Sequence, residues 1–187
     1  MRWTALFADL EAQFVAADQA SLALEVRDRT RREAGLIRLV DRLSPAMGQR
    51  LTVTVQGVGP IEGNLSGAGT DWILLTGGHG PTEREVLICS AAVLGLIGLG
   101  PAARPPASES AVSARLDLRW ALRCLVRDRA GVQISLTDGA LLQGTLDRVG
   151  ADYVELAEHP QGEPRRSTAV RQLRLIPVTA LALLRSS

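Results

Sequence analysis

The chain has no lysine: all 21 of its basic residues are arginine. That absence excludes a lysine Schiff base, a phosphate-loop lysine and a Ser–Lys nucleophile pair. Aromatic side chains are scarce as well, with three Trp, two Phe and one Tyr among 187 positions. Two cysteines, Cys89 and Cys124, are too few for a disulfide scaffold, and both sit in apolar company. Two histidines, His79 and His159, fall in corresponding loops, but no Cys or carboxylate pair lies at ligand spacing beside them. Net charge is almost missing too. Twenty acidic residues leave a balance of +1, which argues against a histone-like nucleic-acid coat and against an acidic tail. No G-x-S-x-G elbow, phosphate loop or dinucleotide fingerprint occurs. The expectation is a protein that is not an enzyme and carries no catalytic residue, metal or cofactor.

Long apolar runs are nearly absent. The longest uncharged stretch, residues 86–103, holds Ser90 and ends in Gly95, Gly98, Gly100 and Pro101, so it reads as strands with a glycine-rich exit, not a membrane span. Asp9, Glu11 and Asp18 interrupt the first apolar stretch, which excludes a signal peptide. A soluble, cytoplasmic protein without membrane contact is expected.

What is present is material for a core, with 46% apolar residues, and an internal repeat. Sliding the chain by 81 positions lays Leu51–Thr76 on Val132–Ala157 without a gap. Gly63/Gly144, Leu65/Leu146, Gly69/Gly150, Asp71/Asp152 and Leu75/Leu156 are identical. Leu51, Val53 and Val55 match Val132, Ile134 and Leu136 in strict alternation, the signature of a half-buried strand. Asp138-Gly139 suits a tight hairpin, whereas the first copy has Gly57-Val58-Gly59-Pro60 there. Gly63 and Gly144 lie in mid-strand, where glycine marks a bend or bulge that helps a short sheet curl into a small barrel. After a variable loop the offset becomes 88, and Leu87-Ile88 and Val93–Leu96 match Leu175-Ile176 and Leu181–Leu184. Five short strands per copy follow.

Leu6, Leu10, Phe14, Leu36, Ile37, Val40 and Leu43 recur at helical spacing around a charged span, Glu25–Glu33, that reads as a solvated face. Gly35 is where this segment would divide in two. Residues 100–108 have the composition of a flexible proline-rich linker. Residues 109–129 alternate like a strand at Leu116, Leu118, Trp120 and Leu122, but their shortage of β-branched residues favours a helix. The expected fold is α+β and mostly β: tandem five-stranded small β-barrels, each preceded by an α-helix, with a long helical N-terminus. The divisions are 1–45 (helical), 46–100 (first barrel), 101–110 (linker) and 111–187 (helix and second barrel).

The run Asp138-Gly139, Gly144, Leu146, Gly150 and Asp152, set after a helix and within five bent strands, resembles the Sm-like small-barrel family. The resemblance covers about two-thirds of the chain. It implies a barrel that exposes edge strands and assembles into rings, with RNA as a ligand. Two departures remove the usual nucleotide pocket. The family's asparagine four positions after the aspartate is replaced by Leu75 and Leu156, and its Ile-Arg-Gly turn by Ile88-Cys89-Ser90 and Ile176-Pro177-Val178.

One set of residues could still hold nucleic acid. Arg115, Arg119, Arg123 and Arg127 recur every four residues with Trp120 beside them, giving guanidinium forks for phosphate and a face for stacking. Arg165 and Arg166, with Arg171 and Arg174, would extend that surface. The bland alternative is a solvated helix face pairing with Asp117 and Asp128, and it is preferred. Asp71 and Asp152 are expected to hold turns, together with Gly69 and Gly150. The function expected is a scaffold or interaction module that binds a protein partner or itself as a homo-oligomer. The alternative is an RNA- or DNA-binding regulator using the arginine stripe.

Overall fold

The computed structural model describes residues 2–77, 85–105, 116–160 and 170–186. It divides into two compact units, the first ending at Arg38 and the second spanning Leu39–Ser187. The first unit is one long helix, α1 (Arg2–Ala34). Gly35 ends it, donating its N–H to the Arg31 carbonyl. Residues 25–33 are exposed throughout, and Arg29 pairs with Glu33 one turn on.

The second unit is mostly β. A short helix, α2 (Leu39–Leu43), precedes β1 (Arg50–Val55), β2 (Gly59–Ala68), β3 (Trp72–Thr76), β4 (Glu85–Cys89) and β5 (Val93–Ile97). A second helix, α3 (Leu118–Asp128), precedes β6 (Gly131–Leu136), β7 (Leu141–Val149), β8 (Tyr153–Glu158), β9 (Gln172–Pro177) and β10 (Leu181–Ser186). The strands alternate as their sequence does: Leu51, Val53 and Val55 of β1 are buried, as are Val132 and Ile134 of β6.

The two halves repeat each other in hydrogen bonding as well as in sequence. Gly69 N–H donates to the Trp72 carbonyl and Gly150 N–H to that of Tyr153; Ser90 N–H donates to Asp71 and Val178 N–H to Asp152. Leu51 faces Gly63 and Val132 faces Gly144. Both copies bulge at the same place, between Leu65 and Gly67 and between Leu146 and Arg148, two residues beyond the mid-strand glycines. Gly69 and Gly150 are required by close approach. A Cβ on Gly69 would run into the Trp72 indole and the Leu116 carbonyl, and one on Gly150 into the Tyr153 ring.

The ten strands lie in one open antiparallel sheet, in the order β5-β1-β2-β3-β4-β10-β6-β7-β8-β9. The joint between copies is β4 with β10, where Leu183 faces Ile88, Leu184 faces Leu87 and Arg185 faces Val86. Side chains at this joint divide between two cores, alternating along β4. Val86 and Ile88 of β4, with Ala182 and Leu183 of β10, join the first core beside Leu51, Val53 and Leu65. Leu87 and Cys89, with Leu181 and Leu184, join the second core beside Leu122, Ile134 and Leu156. Both strands are therefore buried on both faces, which explains their unbroken apolar runs.

The start of the linker is held rather than free. Arg42 donates to the carbonyls of Gly100 and Pro101, and Arg104 N–H donates to that of Asp41. The Arg104 guanidinium also stands 3.8 Å from the buried Asp41 carboxylate. Residues 106–115, which hold the remainder of the linker (to 110) and the start of the following division, lie outside the described residues.

Candidate interaction site

Helix α3 carries most of the residues singled out by the arginine pattern. Asp117 caps its N-terminus by accepting from Trp120 N–H at 2.8 Å, and Arg129, at φ 49°, ends it in the left-handed conformation. Leu118 and Leu122 face the core, which settles the strand-like alternation in favour of a helix. Arg119, Arg123 and Arg127 share the exposed face, and Trp120 beside them is 46% exposed. Two of the three are engaged locally. Arg119 pairs with Asp117 at 3.0 Å and donates to the Ala151 carbonyl; Arg127 pairs with Asp128 at 3.0 Å. Arg115, Arg165 and Arg166 lie outside the described residues, and so does His79. Arg174 is described and forms an ion pair with Glu158.

Charges around α3 follow from these contacts. Partial desolvation pushes the Asp117 carboxyl up, but the Trp120 N–H and the Arg119 and Arg123 guanidiniums outweigh it, so the group stays below the usual carboxylate range. Asp71 reaches across from the first repeat and accepts from Leu118 N–H at 2.6 Å, while Trp72 Nε1–H donates to the Leu116 carbonyl at 2.8 Å. The expected turn aspartate thus also ties the helix start to the first repeat, through one of the N–H groups a helix leaves unpaired. A cleft of about 270 Å³ lies between α3 and the joint, lined by Trp72, Leu74, Leu87, Trp120, Cys124 and Leu184 among others.

The remaining nucleophiles and bases have structural surroundings. Burial, and secondarily the Asp71 charge, push the Cys89 thiol up to about 12, so no thiolate forms at neutral pH. His159 is buried, with Nδ1 at 3.0 Å from the Pro160 carbonyl and Nε2 at 2.8 Å from Thr145 Oγ1. A carbonyl only accepts, so Nδ1 carries a proton, and in the neutral ring Nε2 then accepts from the Thr145 hydroxyl. This closes both ring nitrogens inside the second repeat. Among the described residues, no group of three or more His, Cys, Asp or Glu side chains converges as a metal site would require. No described helix is long and apolar enough to cross a membrane.

Four of the exposed large apolar side chains of the second unit lie at the two ends of the sheet, while Leu141 on β7 is also exposed and Leu39, Met47 and Trp120 less so. Leu94 and Ile97 stand out on β5, and Leu173 and Leu175 on β9. Periodicity alone could not find them, because each lies in a run that reads as an ordinary strand. The signal is in the repeat: Leu175 aligns with Leu87, and Leu94 with Ala182, at the offset of 88. In the first unit, Trp3, Phe7 and Phe14 are exposed on α1 and make up half of the chain's six aromatic residues. No family model matches this chain, and no curated protein matches it.

Proposed function

We propose that the chain is a non-enzymatic interaction module: two repeats of the Sm-like small-barrel type, each half of the sheet curled on itself, that associate with a protein partner or with another copy. The observation that carries this reading is the placement of Leu94, Ile97, Leu173 and Leu175, large apolar side chains left in solvent on the two outermost strands. Apolar surface gathered at a sheet edge marks a contact surface, because water covers it at a cost that a partner removes. The arginine face of α3 supports the same conclusion from the other side, since Arg119 and Arg127 already neutralise local carboxylates.

The test is fluorescence anisotropy of labelled single-stranded RNA and DNA with the purified chain at low and moderate salt. Flat curves at low salt, where charge attraction is strongest, support the protein-contact reading. Affinity that falls steeply with salt overturns it in favour of a nucleic-acid regulator. That second reading has one observation of its own: Arg119, Arg123 and Arg127 share an exposed face next to a half-exposed Trp120. It requires the triple substitution Arg119→Ala, Arg123→Ala and Arg127→Ala to abolish the binding.

A further inference from the structure

Helix α1 runs for 33 residues, and every one of its described side chains is exposed. A helix in a folded protein draws most of its stability from packing an apolar face. This one carries such a face unpacked, for Trp3, Phe7 and Phe14 are 72%, 61% and 75% exposed. In sequence they belong to a heptad pattern: Trp3, Phe7, Leu10, Phe14, Ala17, Ser21 and Leu24 follow one another in steps of four and three. The pattern stops where the charged span 25–33 begins. Val15, Leu22 and Val26, also exposed, fall off this seam and take no part in it. We infer that two copies pair through the seam as an antiparallel coiled coil, in the register that sets Trp3 against Ser21, Phe7 against Ala17 and Leu10 against Phe14. The inference goes beyond the interaction-module reading, because its surface is α1 and not the sheet edges.

Size along the seam selects both the occupant and the direction. The first four positions are large and the next two, Ala17 and Ser21, are small. A shallow groove lined by Phe14, Val15, Ala17, Asp18 and Ser21 marks the small end. Antiparallel pairing seats the bulky end of each copy in the small end of the other, as knobs enter holes. A parallel pair sets Trp3 on Trp3 and Phe7 on Phe7, crowding one end, and leaves a void between the small residues at the other. The antiparallel contact is two-fold, so a second copy supplies the whole complementary surface and no other chain is needed. Its area is sufficient. Aromatic side chains offer about 150–250 Å² each, so the six from two copies, all more than three-fifths exposed, bury on the order of 800 Å². The rest of the seam and its flanks bring the contact into the range of roughly 1,200–2,000 Å² of a specific interface. An anionic lipid surface is the poorer occupant, since Asp9, Glu11 and Asp18 share this stretch with one basic residue, Arg2. Near the two-fold, Gln13 meets its own copy on one flank and Glu11 meets its own copy on the other, where like charges weaken the pairing.

The experiment uses the full chain. Light scattering after size exclusion across the micromolar range is expected to give a species of two 19.9 kDa chains. Phe7→Glu with Phe14→Glu changes two exposed positions outside the sheet, which keeps its urea unfolding transition, and the mass is halved. Phe7→Cys combined with Ala17→Cys gives a covalent dimer on oxidation, while the wild-type chain and each single variant do not. Glu11→Gln tightens the dimer about twofold by removing the like-charge pair. A wild-type chain that stays monomeric throughout the range overturns the inference. So does a single Phe7→Cys variant that links to itself, because it makes the pair parallel, and so does a Glu11→Gln dimer no tighter than the wild type. An assembly that keeps its mass in the double glutamate variant overturns the α1 seam but leaves the interaction-module reading standing on the sheet edges. A monomer that binds RNA or DNA with a steep salt dependence removes both.

Discussion

Leu87 and Leu175 hold the same place in the two repeats, 88 positions apart; the first is buried and the second stands in solvent. Their own repeats treat them alike. Each sits on a fourth strand paired to a third, with Ile73 facing Ile88 and Val154 facing Ile176 in matching register. What separates them is the neighbour. Strand β10 lies against β4 and gives its outward side chains a second core, and β9 has no such strand. The comparison teaches that burial at these positions belongs to the joint between repeats and not to the repeat.

The sharpest way to test that lesson is a pair of truncations. Leu184→Ala removes a side chain packed in the second core at the internal joint, and a cost of about 2–5 kcal/mol is expected by urea denaturation. Leu96→Ala, its counterpart on β5, is only half-buried, and in dilute protein should cost about 1 kcal/mol. If the free edges pair between copies, the cost of Leu96→Ala rises with protein concentration while that of Leu184→Ala changes less. Equal costs for the two in dilute protein would erase the distinction.

The next contrast concerns the two turn glycines. Gly69→Ala places a methyl group against both the Trp72 indole and the Leu116 carbonyl, whereas the atoms nearest the new methyl in Gly150→Ala all belong to the Tyr153 ring. A ring can tilt, but a carbonyl leading into α3 moves only with the helix start. Destabilisation of about 2–3 kcal/mol is expected at Gly69 and about 1 kcal/mol at Gly150. A larger loss at Gly150 would show that α3 is not anchored through Trp72. The flanking aspartates extend the test. Asp71→Ala strips the acceptor from Leu118 N–H and should cost about 1–2 kcal/mol, against about 0.5 kcal/mol for Asp152→Ala, both read from thermal unfolding.

Much of this was legible in the sequence. The offset of 81, then 88, located every strand of both copies, because strands such as β1 and β6 alternate in matching positions and the apolar runs of β4 and β10 recur at the second offset. Helix α3 was readable despite the alternation from Leu116 to Leu122, since helix formers dominate it. The joint was not readable. Val86–Cys89 and Leu181–Leu184 are unbroken apolar runs, consistent with strands buried on both faces, but a run of that length does not name the strand beside it. The reach of Asp71 to α3 was hidden for the same reason: the contact is 47 positions long and depends on where α3 lands. His159 could not be told from a catalytic base until Thr145 and Pro160 were seen to close both ring nitrogens.

The smallest expected effect lies where the repeats differ in charge. At the position of the buried Val86, the second repeat has Arg174, which reaches Glu158 across the β8–β9 pair. Desolvation pushes the Glu158 carboxyl up, but hydrogen bonds from Arg174 and Gln172 outweigh it and bring the group below its ordinary value of 4.5. A carboxyl lowered on folding adds stability that is complete above its unfolded value and is lost as pH falls through the folded one. The contribution is small, since Arg174 is partly exposed and such pairs are screened by solvent. Urea denaturation of the wild type and of Glu158→Gln should therefore differ most near neutral pH and converge in acid, once the pH has fallen through the lowered folded value and the wild-type carboxylate has taken up its proton. Val86 offers the first repeat no proton to exchange; in Arg174→Val the acid-dependent part of this difference should shrink to what the Gln172 hydrogen bond still contributes. A difference that persists unchanged into acid would mean that Glu158 acts there through packing and not through its charge.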